Sequence, residues 1–249
     1  MAIPDAGKIK KVVREHYGGL ARGARTQIGL AGTAPEMELY SREEVEALPN
    51  EAVDASAGCG NPTALASLKE GETVVDFGSG GGIDCFLAVQ QVGAGGRVIG
   101  IDMTPDMIAL AEKNRDKLGL ANVEFHLAEM ERTPLEDGTA DVVISNCVIS
   151  LAPDKEAVFR EAYRILKPGG RMYVSDVVLQ EALPPEIASD MAEWVKCAGG
   201  AEVRETYLGR MESAGFTGVK VLSERQSTSD YGSYASALRD TSIVAVKPG

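Results

Sequence analysis

A chain of 249 residues, 44% hydrophobic and 25% charged, can bury a sizeable core, which excludes wholesale disorder and suits a single α/β unit. Its 25 Lys and Arg face 37 Asp and Glu for a net charge of −12, so neither nucleic acid nor an anionic membrane is expected as main partner. No run approaches the ~18 apolar residues of a membrane span, and residues 1–11 are polar and charged rather than signal-like, so a cytoplasmic protein is expected.

Residues 1–70 read as an N-terminal lid or arm and residues 71–249 as the main domain. A basic helix is expected over 8–17, stopped by Gly18-Gly19, followed by an aperiodic Gly/Ala/Thr-rich loop to Pro35. Ser41-Arg42-Glu43-Glu44 has the form of a capping box opening a helix to about Leu48. Asn61-Pro62 supplies an N-cap and first helical residue for another helix over 62–68. None of these pieces carries a core of its own.

From Glu72 onward, strand and helix signals alternate. Strands are expected at 73–77, 98–101, 123–127, 140–145, 171–176, 219–224 and 243–246. Helices are expected at 83–92, from Pro105 to 117, from the Asp154 cap to 166, around 185–196, and over 206–214. Lys167-Pro168-Gly169-Gly170 reads as a turn into the fifth strand, and the Ser- and Tyr-rich stretch 223–240 as a solvated loop. Such alternation predicts a Rossmann-like α/β fold: a mostly parallel seven-stranded sheet with helices on both faces.

Asp76-Phe77-Gly78-Ser79-Gly80-Gly81-Gly82 lies between the first strand and the first helix of that alternation. There, absent side chains let a ligand approach the backbone and the helix N-terminus offers free amides. The loop carries no lysine, which excludes a Walker phosphate loop. Asp102 ends the second strand about twenty residues further on, where an acid can accept both ribose hydroxyls, although it also suits a cap before Pro105. With Leu166-Lys167-Pro168-Gly169-Gly170, these residues resemble the class I S-adenosylmethionine-dependent methyltransferases over roughly 72–176. The resemblance implies S-adenosyl-L-methionine as cofactor. By position it implies that Asp76, at the loop's approach, belongs to the cofactor motif and that Gly78, Ser79 and Gly80 line the methionine and ribose part. It further implies that Asp102 takes the ribose, Met103 packs on adenine, Glu129 and Met130 flank the adenine ring, and Asn146 borders the methionyl end. A nicotinamide dehydrogenase uses a similar loop but has no reason to carry the later pattern.

The acceptor of the methyl group is the harder question. Of the two histidines, His16 falls in the first helix and His126 near the end of the third strand, where a packed, hydrogen-bonded ring is expected. Asp84, Glu129 and Asp176 are the carboxylates left as candidate bases, each with another structural or cofactor role. A soft acceptor with its own lone pair needs no base. Four cysteines lie 26, 62 and 50 residues apart, and none forms a CxxC pair. Cys85, one turn into a helix, reads as plain core. Cys59, Cys147 and Cys197 have glycine or loop neighbours, and the ends of a parallel sheet's strands form its ligand crevice. Three thiolates there would suit a thiophilic acceptor.

The segments around Cys59, Cys85 and Cys147, together with Asp102-Met103-Thr104-Pro105, Val13-Arg14-Glu15-His16-Tyr17-Gly18 and Cys197-Ala198-Gly199-Gly200-Ala201, resemble the arsenite methyltransferases. The resemblance runs over nearly the whole chain. It implies that Cys59, Cys147 and Cys197 bind trivalent arsenic, delivered as a thiol complex, and that Tyr17 belongs to a segment folding over the cofactor. It implies glutathione or thioredoxin as the reductant that keeps the cysteines reduced. Longer members carry a further cysteine upstream of the one matching Cys59, and none precedes Cys59 in these 249 residues. A carbon methyltransferase acting on a quinone-like acceptor and a non-catalytic thiol-based metalloid binder stay open as alternatives.

Overall fold

The computed structural model describes residues 4–23, 39–227 and 231–249. Seven strands form one sheet in the order β3-β2-β1-β4-β5-β7-β6: β1 (Thr73–Phe77), β2 (Arg97–Asp102), β3 (Val123–Leu127), β4 (Ala140–Asn146), β5 (Leu166–Leu179), β6 (Thr217–Gln226) and β7 (Leu238–Val246). β1 to β5 run parallel, and β7 is antiparallel to both neighbours. The period-2 alternation of side chains splits the core in two. Val75, Phe77, Ile101 and Val143 enter the layer built on Phe159 and Tyr207, while Val74, Val98, Val142 and Ile144 enter the layer built on Phe86 and Leu87. Being covered on both faces, the central strands read as continuous apolar runs.

Helices α1 (Ala6–Ala21), α2 (Arg42–Glu46), α3 (Asn50–Asp54) and α4 (Pro62–Ala66) precede the sheet. α5 (Ile83–Val92), α6 (Pro105–Leu118), α7 (Lys155–Ile165), α8 (Pro185–Ala188), α9 (Met191–Trp194) and α10 (Arg204–Ser213) follow in order. The capping signals act as expected. Glu44 N–H donates to Ser41 Oγ while Ser41 N–H donates to Glu44 Oε2, and Asn61 and Asp154 each accept the N–H three residues on.

Several boundaries differ from the expectation. α1 runs through Gly18-Gly19 rather than stopping there, because Gly18 sits where a Cβ would lie 2.8 Å from Asp106 Oδ2 on α6. A close helix contact outweighs the ~1 kcal/mol that glycine costs in a helix. The expected loop at 24–35 lies outside the described residues. β5 starts at Leu166, not 171, because Lys167 to Gly170 form an irregularity within the strand, and Gly169 N–H donates to Lys247 O beyond β7. The helix expected around 185–196 is two short ones, since Asp190 turns its side chain onto Ala192 N–H and caps a new start.

The expected solvated loop at 223–240 is corrected most. β6 continues to Gln226, a 3-10 turn spans Gly232–Ala237, and β7 begins at Leu238. Tyr231, Ala237 and Leu238 are buried in the cluster that holds Cys147, Trp194 and Cys197. No helix among the described residues is long and apolar enough to cross a membrane.

Candidate functional site

The strand order reverses between β1 and β4, and the crevice beyond their carboxyl ends is where an open parallel sheet holds a ligand. A cleft opens there, lined by Gly78, Ser79, Gly80, Asp102, Met103, Met130, Asn146, Cys147, and by Lys10, Val13 and Tyr17 of α1. Gly78 (φ 75°), Gly80 (φ 50°) and Gly82 (φ 96°) all take left-handed backbone, which turns the chain from β1 into α5 within five residues. Gly78 N–H and Ser79 N–H both donate to Ile101 O, pinning the loop to β2.

Asp102 faces the cleft with each carboxylate oxygen already holding one backbone N–H, Gly80 at 3.0 Å and Thr104 at 2.8 Å. Burial pushes its pKa up, against the pull of those N–H groups. Each oxygen keeps lone-pair capacity for a diol. The buried hydroxyl of Ser79 has no partner among the described residues, and among these a Cβ built on Gly80 meets nothing nearer than Met107 Sδ at 3.9 Å. An unpaired buried donor beside open space over a glycine loop fits a polar ligand such as a nucleoside. Tyr17, Gly78, Ser79, Gly80, Asp102, Met103, Met130 and Asn146, the residues expected to meet the ligand, all line this cleft.

Two expected contacts do not. Asp76 is buried off the cleft wall and accepts the Cys85 thiol at 3.3 Å, its pKa pushed well up by burial and by the Asp84 carboxylate. Glu129 turns away to pair with Lys10 at 2.7 Å and Arg14 at 3.7 Å. Its role is a tether: with Arg14 Nε–H donating to Met103 O, it ties α1 across the cleft. Lys10 also meets Glu131 at 2.8 Å, and Tyr17 OH donates to Val195 O at 3.3 Å.

The distant cysteines converge at this cleft, Cys147 being one of its lining residues. Cys147 Sγ and Cys197 Sγ lie 3.6 Å apart, and the Cys197 thiol also donates to Cys147 O at 3.3 Å. That spacing is roughly what two thiolates take when both bind one centre at ~2.3 Å, the zinc–thiolate distance. Both residues have left-handed backbone, φ 57° at Cys147 and 72° at Cys197. For a residue with a side chain this is strained, and such strain collects at functional sites. Cys59 is partly buried, and its thiol interacts electrostatically with that of Cys147. Among the described residues, no group of three or more His, Cys, Asp or Glu side chains is arranged to hold a metal ion. Cys147 and Cys197 are thus a ready pair, with Cys59 beside them rather than closed onto a common centre.

All four cysteines are free thiols. The interaction with Cys147 pulls the Cys59 pKa down, but burial and the Asp240 and Asp176 carboxylates push it up to about 11. For Cys197, the hydrogen bond with Cys147 and burial both push up; Cys147 ends well above the ordinary thiol range because its interaction with Cys59 and burial outweigh the pull of Cys197. All three are therefore protonated at neutral pH. Cys85 is buried in the core, as expected, with its thiol on Asp76.

The candidate bases separate by position. Asp84 lines the cleft; Asp176 is buried, accepting Ser150 N–H, Val177 N–H and Tyr207 O–H. His126 pairs with Glu124 at 2.9 Å, and His16 is buried with Nε2 unpartnered within the described residues. Sequence reasoning missed Tyr40, which hydrogen-bonds Asp84 from 44 residues away, and Trp194, which walls the thiol pair. A lone tyrosine after an aperiodic stretch offers no pattern to read. Gly58 and Gly60 were visible as neighbours of Cys59; a Cβ on either would come within 2.5 Å of Asn146 or Ser175.

Comparison with known proteins agrees with this geometry. The family described as a methyltransferase domain matches residues 68–230. The arsenite methyltransferase of Halobacterium salinarum is 39% identical over 244 residues, covering 92% of this chain and 62% of that protein. The human arsenite methyltransferase is 38% identical over 211 residues, covering 80% and 56%. The chain thus spans about three-fifths of the length of these curated relatives. A crystal structure of an arsenic (III) S-adenosylmethionine methyltransferase from Chlamydomonas reinhardtii superposes with a TM-score of 0.73 at 34% identity, covering 88% of this chain and 75% of that one. With a glycine loop and the Asp102 carboxylate in the crevice and paired thiols beside it, the chain is similar to these arsenite methyltransferases and belongs to the methyltransferase-domain family.

Proposed function

We propose that this chain transfers methyl groups from S-adenosylmethionine to trivalent arsenic held by Cys59, Cys147 and Cys197. The observation that carries the reading is the 3.6 Å approach of Cys147 and Cys197 sulfurs in the same crevice as the glycine loop, Cys147 itself lining the cleft. When bound, S-adenosylmethionine supplies a sulfonium methyl that the lone pair of the arsenic substrate takes in line. Asp102, Ser79 and the Gly78–Gly80 backbone hold the nucleoside and methionyl ends, and Met103 and Met130 face the base. Tyr17 and Lys10, carried by α1, close the cleft from above, so α1 acts as a lid over the domain of 71–249.

The raised thiol pKa values fit this chemistry. Arsenic arrives bound to small thiols, and each cysteine that replaces one hands its proton to the departing thiol. That exchange is neutral, so no buried thiolate need form before arsenic arrives and no dedicated base is required. Holding donor and acceptor in line can supply on the order of 7–11 kcal/mol of the acceleration. Two thiols 3.6 Å apart would otherwise oxidise together, so glutathione or thioredoxin serves as reductant, in the cytoplasm.

The test is incubation with methyl-labelled cofactor, arsenite and glutathione, run beside a panel of quinols. Label in methylated arsenicals supports the reading. Label in organic acceptors means a carbon methyltransferase, and tight arsenic binding without transfer means a binder alone.

A further inference from the structure

Cys147 and Cys197 are positioned by the main fold: Cys147 N–H donates to Ser175 O at 2.7 Å and Cys197 N–H to Trp194 O at 2.9 Å. Cys59 has no such anchor in a strand or helix; it sits in the loop between α3 and α4. Arg225 donates to Cys59 O at 3.5 Å, and the rest of the loop's hold comes from one side chain. Asn146 Oδ1 accepts Cys59 N–H at 3.1 Å and Gly60 N–H at 3.2 Å, while Asn146 Nδ2 donates to Gly60 O at 2.8 Å and Asp84 Oδ2 at 3.0 Å.

An amide holds the loop this way only in one orientation. Flipped, its NH2 would face two N–H donors and its oxygen would face a carboxylate. Asp84 makes the flipped state costly because an acceptor oxygen against a carboxylate leaves both desolvated and unpaired. Asp84 is in turn fixed by Tyr40, whose hydroxyl donates to it at 3.1 Å and whose ring is 1% exposed in the core. The Tyr40 oxygen also lies 2.9 Å from Asn146 Nδ2, closing the set.

We propose that Asp84 is a positioning residue for the third sulfur: through Asn146 it sets the Cys59 loop beside Cys147. The inference rests on the thiol-site reading above only for its functional consequence. It assigns the Tyr40–Asp84–Asn146 chain to the capture of arsenite, which takes three sulfurs, rather than of a monomethylated arsenical, which takes two. Cys147 and Cys197 have backbone anchors of their own at Ser175 and Trp194.

Two readouts on cofactor-free protein test it: site-resolved alkylation by iodoacetamide, and fluorescence of Trp194, the single tryptophan, titrated with arsenite or monomethylarsonous acid. In Asp84→Ala, Cys59 alkylation should rise several-fold against that of Cys147 and Cys197. Loss of a hydrogen bond to a charged group should weaken arsenite binding about ten-fold, with the monomethyl ligand changed less than about two-fold. Asp84→Asn keeps an acceptor oxygen and should restore most of both. Tyr40→Phe keeps the core ring and should shift Cys59 alkylation the same way by a smaller factor, which carries the test if Asp84→Ala fails to fold. Unchanged Cys59 alkylation in the variants, or equal loss for both arsenicals, would overturn the inference. If the wild type binds neither arsenical while Cys59 alkylation still responds to Asp84, the positioning role stands and the arsenic reading falls.

Discussion

Cys147 and Cys197, fifty residues apart in sequence, meet at 3.6 Å with both backbones in the left-handed region. That conformation costs an L-residue roughly 1–2 kcal/mol, so the fold holds these two thiols where stability alone would choose glycine. Cys197→Gly relieves the strain and gives back ~0.5–1 kcal/mol in chain entropy plus the lost sulfur contacts. Its unfolding free energy from urea titration should stay within about 1 kcal/mol of wild type. Cys85→Gly, inside a helix and fully buried, has no such relief and should cost at least ~2 kcal/mol.

Serine keeps the shape of cysteine but not its affinity for a soft ion. Cys147→Ser and Cys197→Ser should each abolish methylation of arsenite while cofactor affinity, by calorimetry, stays within about three-fold. Cys59→Ser should lower the first methylation by at least about ten-fold and the second far less. Full turnover in either of the first two variants would remove the thiol pair from the mechanism.

Much of this was legible in the chain itself, for reasons tied to particular residues. Thr73–Phe77 and Ala140–Asn146 are β-branched or apolar enough to declare buried strands, and a glycine run between strand and helix marks the crevice. Cys59, Cys147 and Cys197 stood out because their neighbours are glycines and loop residues rather than an apolar face. Asp76 and Glu129 sit in the right motifs, but side-chain direction decides contact: one meets Cys85 and the other Lys10. Burial of Tyr231 and Leu238 in a Ser-rich stretch, and the pairing of Tyr40 with Asp84, depend on long-range packing that no local period reports.

Asp84 should leave a mark on the pH dependence of stability. Burial pushes its pKa from 3.8 to about 6, with Glu44 adding to the rise and the hydrogen bonds from Asn146 and Tyr40 opposing it; Asp76, also raised, is its carboxylate neighbour. A carboxyl raised by folding binds more protons in the folded state, so its penalty is absent below pH 3.8 and full above about 6. Asp84→Asn removes that penalty. The variant's melting temperature should exceed wild type at pH 7.5, with the gap shrinking as pH falls from 6 towards 4. A gap independent of pH would contradict the shifted carboxyl.

The arm's tether is electrostatic and partly exposed. Glu129, 43% exposed, pairs with Lys10 and Arg14, and such pairs contribute roughly 0.2–1 kcal/mol, less in salt. Glu129→Gln should weaken cofactor binding by about two- to five-fold at low salt, with the difference from wild type fading towards 0.5 M salt. A salt-independent loss would instead point to direct contact of Glu129 with the cofactor.

Arsenic X-ray absorption on the arsenite-loaded protein, with excess small thiol removed, tests the central claim most directly. Three sulfur neighbours at a single distance, reduced to two in Cys59→Ser, is the result the three-thiol site requires. Oxygen neighbours, or an unchanged sulfur count in that variant, would contradict it.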